Sequence, residues 1–305
     1  MAKISPIVRV NELEYDPILF EVLKTNTPLD ILFSTEGGVP RACNFILVGD
    51  PGVGKSTVAL DAGSNISKNG YKVLFISAEM NRVDTKLYVD RYHKFGDLDT
   101  MFMVELLEDA NPQKEFEDIL NEGWDLVVGD SFVEIQDTIR EVADLSTNKA
   151  ERWLINIMRQ HNLGRNKRKL YTSFIMIQQA TKGGVFVGSN RLKHMTTGMI
   201  HANFEDLQLQ DEMFLVCSKN RRGRVHKKLY YTLNTTGDVE YNLKRFKRDE
   251  KARELREKEK QKIKSEEFEF DVIFNIGDST SPNTDEDLND EKDSTTTTVD
   301  GSLFE

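Results

Sequence analysis

Residues 49 to 57 read GDPGVGKST, and these residue types at this spacing suit one task, the holding of a chain of phosphates. The pattern G-x-x-x-x-G-K-[ST] lets glycine backbone turn its N–H groups toward oxyanions, and the helix that follows adds its positive end. Gly49, Asp50, Pro51, Gly52, Val53, Gly54, Lys55, Ser56 and Thr57 are therefore expected around a nucleoside triphosphate. Lys55 would reach the β- and γ-phosphates, and the Ser56 hydroxyl would ligate Mg²⁺. The same cation needs a carboxylate at the end of a neighbouring buried strand. Asp130, which closes the apolar run in DLVVGDS, fits that place; the alternative is an ordinary aspartate at a turn. Asp125, at the other end of the same run, would face away.

Hydrolysis also requires a group that orients or deprotonates water. Glu79 ends the apolar run in KVLFISAEM and would stand near Lys55 and Asp130; otherwise it is a helix-start glutamate that only complements the helix dipole. Gln178 and Gln179 end SFIMIQQ, where an amide can sense the γ-phosphate or simply pack. Gln179 is preferred. Residues 181 to 198, TKGGVFVGSNRLKHMTTG, read as a glycine-rich loop. Its Lys182, Arg191 and Lys193 suit a nucleic-acid backbone contacted without regard to sequence, and a solvated loop is the competing reading. In KNRRGR, residues 219 to 224, Lys219 and Arg221 alternate and would project on one side of a strand end. They lie too far along the sheet for their own nucleotide, so they suit a neighbouring subunit's γ-phosphate, or else are surface charge.

Alternating elements must position these groups. Strands are expected at 44–48, 72–77, 101–104, 125–128, 173–177 and 213–217, with a hairpin at 228–233 and 239–243. Helical patterns fill 56–69, 81–95, 112–121 and 150–162, and a short helix is expected within 13–23. Such alternation predicts an α/β fold with a mainly parallel central sheet and helices on both faces.

The formal charge of −10 is uneven. Residues 265–305 hold 13 acidic residues and one lysine, so the preceding 264 residues sit near +2. The acidic balance therefore says nothing against nucleic-acid binding by the folded part. Four segments are expected: a lead-in over 1–40, a core over 41–244, a charged helix or linker over 245–264, and an acidic, largely disordered tail over 265–305. The tail, ending in Leu303, Phe304 and Glu305, suits a basic groove on a replication or recombination protein, or serves solubility alone. Cys43 and Cys217 lie in or beside apolar runs and read as buried thiols. Without an apolar stretch near ~18 residues or a signal-peptide core, a cytoplasmic protein is expected.

The order of motifs resembles the RecA-like ATPases, most closely the core of the RadA/Sms type of DNA-repair helicase, over about residues 27 to 243. TPLDILFSTEGGVPR resembles the family's lead-in, VLFISAEM its strand ending in the catalytic glutamate, and LVVGDS its Mg²⁺-site strand. IQQATKGG with NRLKHM resembles the sensor loop, and KNRRG the K-N-R-x-G motif. The resemblance implies a three-layer fold with a C-terminal hairpin, ATP and Mg²⁺ as ligands, and a hexameric ring or filament around single-stranded DNA. ATP would be hydrolysed between subunits, with Glu79 polarising water and Lys219 and Arg221 acting on the next subunit's nucleotide. A motor in recombination, repair or replication follows, with a DnaB-type helicase core and an ATP-switched loader as alternatives. The family's four-cysteine zinc finger has no counterpart among two cysteines, Gln179 stands where that branch often has histidine, and Arg222 stands where its motif has phenylalanine.

Overall fold

The computed structural model describes residues 9, 11, 15–106, 108, 111–179, 190–210 and 212–275, except the side chains of 190, 191 and 267–275. The chain divides into two compact units, Met1–Lys251 and Ala252–Glu305. The first opens with β1 (Val22–Leu23), α1 (Asp30–Phe33) and β2 (Val39–Pro40), then β3 (Asn44–Gly49), α2 (Lys55–Lys68), β4 (Val73–Ser77) and α3 (Arg82–Arg91). It continues with β5 (Asp99–Phe102), α4 (Met103–Leu106), α5 (Pro112–Asn121), β6 (Leu126–Asp130), α6 (Phe132–Val142), α7 (Thr147–Asn162) and β7 (Ser173–Gln179). After the undescribed stretch come α8 (Asn190–Met195), β8 (Gly198–Phe204), β9 (Met213–Asn220), β10 (Lys228–Leu233), β11 (Val239–Tyr241) and α9 (Leu243–Asn275).

Nine strands form one sheet in the order β11-β10-β9-β8-β3-β7-β6-β4-β5. From β8 to β5 every pairing is parallel, and β9, β10 and β11 add antiparallel strands at the other edge. The parallel strands are near-continuous runs of apolar residues because both faces are covered. Phe45 and Leu47 face one cluster, with Phe33, Val58 and Ala62 of α1 and α2. Ile46 and Val48 face the other, with Phe132, Ile135 and Leu154 of α6 and α7. The expected α/β architecture is thus present, with three layers and the β10–β11 hairpin at its C-terminal edge.

At the strands' starting end the buried Arg41 pairs with Asp125 at 2.5 Å, and Asp125 also accepts the Lys72 N–H at 2.8 Å. Asp125 therefore ties β2, β4 and β6 together far from the phosphate loop. Removing one partner of such a buried pair costs about 3–5 kcal/mol, because the other charge is left without compensation.

Several boundaries differ from the sequence reading. Among the described residues of 13–23 no α-helix forms: Pro17 opens a single 3₁₀ turn at Pro17–Phe20, capped by Asp16, and Val22 and Leu23 pair with Pro40 and Val39 instead. The strand expected at 101–104 is shifted to Asp99–Phe102, since Met103 turns into the second core cluster as α4 begins. The helix α6 follows β6 at once, burying Phe132, Ile135, Gln136 and Ile139. Strand β8 is a larger addition. Residue 198, read as the end of a loop, opens a strand inserted between β3 and β9. The charged helix continues to Asn275, past the expected boundary at 264, and residues 276–305 lie outside the described residues.

Candidate nucleotide-phosphate site

Strand register gathers the candidate residues at one end of the sheet. Gly49 stands beside Gln179 and Ser77 beside Asp130, and because these strands are parallel their carboxyl ends coincide. Gly54, at φ 82°, is the N-cap residue of α2, which starts at Lys55. One constraint requires glycine there and a second favours it. An L side chain is strained at that φ, and a Cβ would collide with the Leu233 side chain. Lys55 arches over the loop and donates to the carbonyl oxygens of Gly49 and Asp50, each at 2.9 Å. Burial lowers its pKa, against the opposing pull of Asp130, Glu79 and Asp50.

The Ser56 hydroxyl donates to Asp130 at 2.5 Å, and Asp130 is only 3% exposed. Burial pushes the Asp130 carboxyl up to about 6, with Glu79 adding repulsion and Ser56 and Lys55 pulling the other way. A buried carboxylate next to a hydroxyl, with its charged form disfavoured, is a donor pair that a hard divalent cation would satisfy. Residues Ser56 and Asp130 therefore fit Mg²⁺. The sign of the pH dependence follows: the ionised carboxylate would hold such a cation, so affinity would fall as the pH drops below about 6. At pH 5 the half-saturating Mg²⁺ for nucleotide binding should be about tenfold higher than at pH 7.5, and calorimetric titration should find that Asp130→Asn removes this difference.

Glu79 lies in a turn pinned from several sides. The Asp130 carbonyl accepts the N–H groups of Ala78 and Glu79, at 2.8 and 3.3 Å. Ser77 donates its hydroxyl to the Met80 carbonyl at 2.7 Å, and the Asn81 side chain caps α3 by accepting from Val83 and Asp84. The Gln179 amide donates to the Glu79 carboxylate at 3.3 Å. Gln178 is buried, whereas Gln179 is exposed at the strand end beside Gly49. Of the two, Gln179 contacts the candidate base.

This arrangement can be set beside known proteins. No protein-family model matches the chain. Among curated sequences, the DNA repair protein RadA of Chlamydia trachomatis is 29% identical over 206 residues, covering 66% of this chain and 41% of that protein. RadA of Bacillus subtilis is 25% identical over 245 residues, covering 78% and 48%. The chain is a distant homologue of the RadA DNA repair proteins. It spans less than half the length of the RadA proteins it matches. Its fold is RecA-like: a KaiC-like protein of Pyrococcus horikoshii OT3 superposes with a TM-score of 0.56 at 17% identity, covering 73% of this chain and 99% of that one. The flagellar accessory protein FlaH of Methanocaldococcus jannaschii gives 0.53 at 13% identity, with the same coverage. The likeness to RadA read from the motifs is borne out.

In this chain Lys219 and Arg221 lie at the opposite end of the sheet from Lys55. Arg221 N–H donates to the Thr197 carbonyl and Thr197 N–H to that of Asn44, the first residue of β3. From Asn44 to Gly49 the strand covers about 16 Å, at ~3.3 Å per residue. Both cations are held at the end of α8: Lys219 donates to the carbonyls of Lys193 and His194 at 2.6 and 3.3 Å, and Arg221 to that of His194 at 3.0 Å. Carbonyls at a helix C-terminus favour cations. Burial lowers the pKa of Lys219, and the charges of Arg221 and Lys193 lower it further. Lys193 is exposed on α8 and thus joins Lys219 and Arg221 in one cationic cluster. Arg191 is in the same helix, with its side chain outside the described residues, and Lys182 lies wholly outside them.

Three contacts around the loop were not read from sequence. Thr57 exchanges a hydrogen bond with the Tyr88 hydroxyl at 2.8 Å, linking α2 to the helix after Glu79. Lys94 bridges the buried Asp61 of α2 and Asp238 in the β10–β11 turn. Tyr231 donates to the Val53 carbonyl at 2.6 Å. The hairpin was expected as a sheet edge, but no local signal places its first strand, β10, against a loop 178 residues earlier.

Proposed function

We propose that this chain is an ATPase that hydrolyses ATP between subunits of a homo-oligomer, ring or filament, and acts as a single-stranded-DNA-binding motor or recombinase-like protein in DNA repair, recombination or replication. The observation that carries the reading is a division of the groups. Lys55, Ser56, Asp130, Glu79 and Gln179 converge at one end of the sheet, while Lys219 and Arg221 are held at the other, about 16 Å away along β3. Among the described residues, one subunit thus presents a phosphate loop whose cation is Lys55, and a further pair of cations, Lys219 and Arg221, that lies too far along the sheet to join it.

Glu79, oriented by Gln179, takes a proton from water as the water oxygen attacks the γ-phosphorus, and ADP departs with the electrons of the broken bond. Lys55 and the loop amides hold the phosphates, and Ser56 with Asp130 would hold Mg²⁺, which neutralises phosphate charge when bound. Lys219 and Arg221 of one subunit meet charge developing on the next subunit's γ-phosphate. Lys193 and Arg191 of α8, with Lys182, contact the DNA backbone. A link to RadA, itself a DNA repair protein by name, supports the choice of DNA as the polymer.

The test is ATP turnover with and without single-stranded DNA, on the full chain and on one ending at Asn275. Stimulation of at least tenfold by DNA in both supports the motor. Tight ATP binding with slow turnover that DNA leaves unchanged overturns it and favours an ATP-switched loader.

A further inference from the structure

We propose that Tyr231 is a positioning residue for the phosphate loop, aiming the Gly54 N–H at the phosphates by holding the Val53 carbonyl. This rests on the loop's binding a nucleotide. The argument starts from the peptide unit, in which the C=O of one residue and the N–H of the next share a rigid plane and point in opposite directions. Tyr231 comes from β10 and donates its hydroxyl to the Val53 carbonyl at 2.6 Å. With that oxygen turned out toward β10, the Gly54 N–H is turned toward the inside of the loop.

The plane needs such a hold. Gly54 lies at φ 82° in a segment that also contains Gly52 at φ 81°, and glycine permits the rotations that would flip the Val53–Gly54 peptide. Leu233, two residues along β10, packs where a Gly54 Cβ would be, so the strand both closes on the loop and depends on its glycine. Tyr231 itself is fixed: it is 2% exposed, packs on the Tyr241 ring at 6.4 Å, and pairs across β11 with Tyr241 and across β9 with Met213. Lys94, bonded to both Asp61 and Asp238, fastens the same hairpin to α2. The loop crown is thus held from outside by a rigid strand.

The experiment is ADP binding by calorimetry with saturating Mg²⁺, on the full chain and on Tyr231→Phe, which keeps the ring and removes the hydroxyl. ADP is chosen because the loop amides face the α- and β-phosphates, so subunit-interface cations do not enter. Loss of one oriented donor should weaken ADP by about three- to tenfold, an effect on the order of one hydrogen bond. Amide exchange over residues 50–57 in the ADP-saturated protein should quicken. Thr232→Val, on the exposed neighbour of Tyr231, should bind ADP as the parent does.

A weakening below threefold, unchanged exchange over 50–57, or an equal loss in Thr232→Val overturns the assignment. Thermal midpoints without nucleotide ensure that the comparison is made between folded proteins; if Tyr231→Phe is unfolded at the assay temperature, the same titration is run below its midpoint. Failure of the parent to bind ADP would overturn the reading of the loop itself, an outcome separate from parity between parent and variant.

Discussion

Arg221→Ala should reduce ATP turnover by at least about 10²-fold while leaving nucleotide affinity within threefold of the parent. Arginines supplied to a γ-phosphate contribute about 10³–10⁵ in rate, and Lys219 beside it would retain part of that charge. Binding should survive because Arg221 stands at the Asn44 end of β3 and its side chain donates to the His194 carbonyl, far from the loop that holds the nucleotide. The geometry supplies a sharper test. Lys55→Ala lacks a working phosphate loop but keeps Arg221, and Arg221→Ala has the reverse defect. If the groups act across a head-to-tail interface, an equal mixture of the two inactive proteins should regain turnover at about a quarter of its interfaces. A mixture that stays inactive although the subunits exchange, or an Arg221→Ala protein that hydrolyses normally, would show that the cation does not serve a neighbour's nucleotide.

How much of this site was legible in sequence depends on how local each signal is. The loop was readable because its function resides in nine consecutive residues, and the strands before Glu79, Asp130 and Gln179 because they are buried on both faces and therefore apolar throughout. Their meeting followed from parallel pairing, since residues that end parallel strands must share an edge. Strand β8 was less legible. Its alternation, Ile200, Ala202 and Phe204 buried between His201 and Asn203, is the period-two signal, but it follows directly on a glycine-rich loop and contains two polar residues. That omission mattered, because β8 separates β9 from β3 and carries Lys219 and Arg221 sideways as well as down the sheet. The hold of Tyr231 on Val53 could not be read at all. LYYTL marks a strand, and no propensity within it says which carbonyl its tyrosine hydroxyl will meet. Long-range polar contacts between a strand and a loop arise only once the topology has brought them together.

Glu79→Gln should bind ATP normally and turn it over about 10²–10⁴-fold more slowly, the range that a positioned general base contributes. The substitution preserves shape and leaves an acceptor oxygen for the Gln179 amide, which donates to this side chain at 3.3 Å. The turn should also persist, because the Ala78 and Glu79 N–H groups, the Ser77 hydroxyl and the Asn81 cap do not involve the Glu79 carboxylate. Single-turnover kinetics should therefore place the loss in the chemical step, with nucleotide affinity unchanged. A second consequence separates the base from a merely structural glutamate. Glu79 is one of the charges that raise the Asp130 pKa, so neutralising it should move Asp130 below its present value of about 6. The weakening of Mg²⁺ binding in acid should then begin at a lower pH in Glu79→Gln than in the parent. Turnover within tenfold of the parent would remove Glu79 from the chemistry, and an unmoved acid limb would show that the two carboxylates do not share a field.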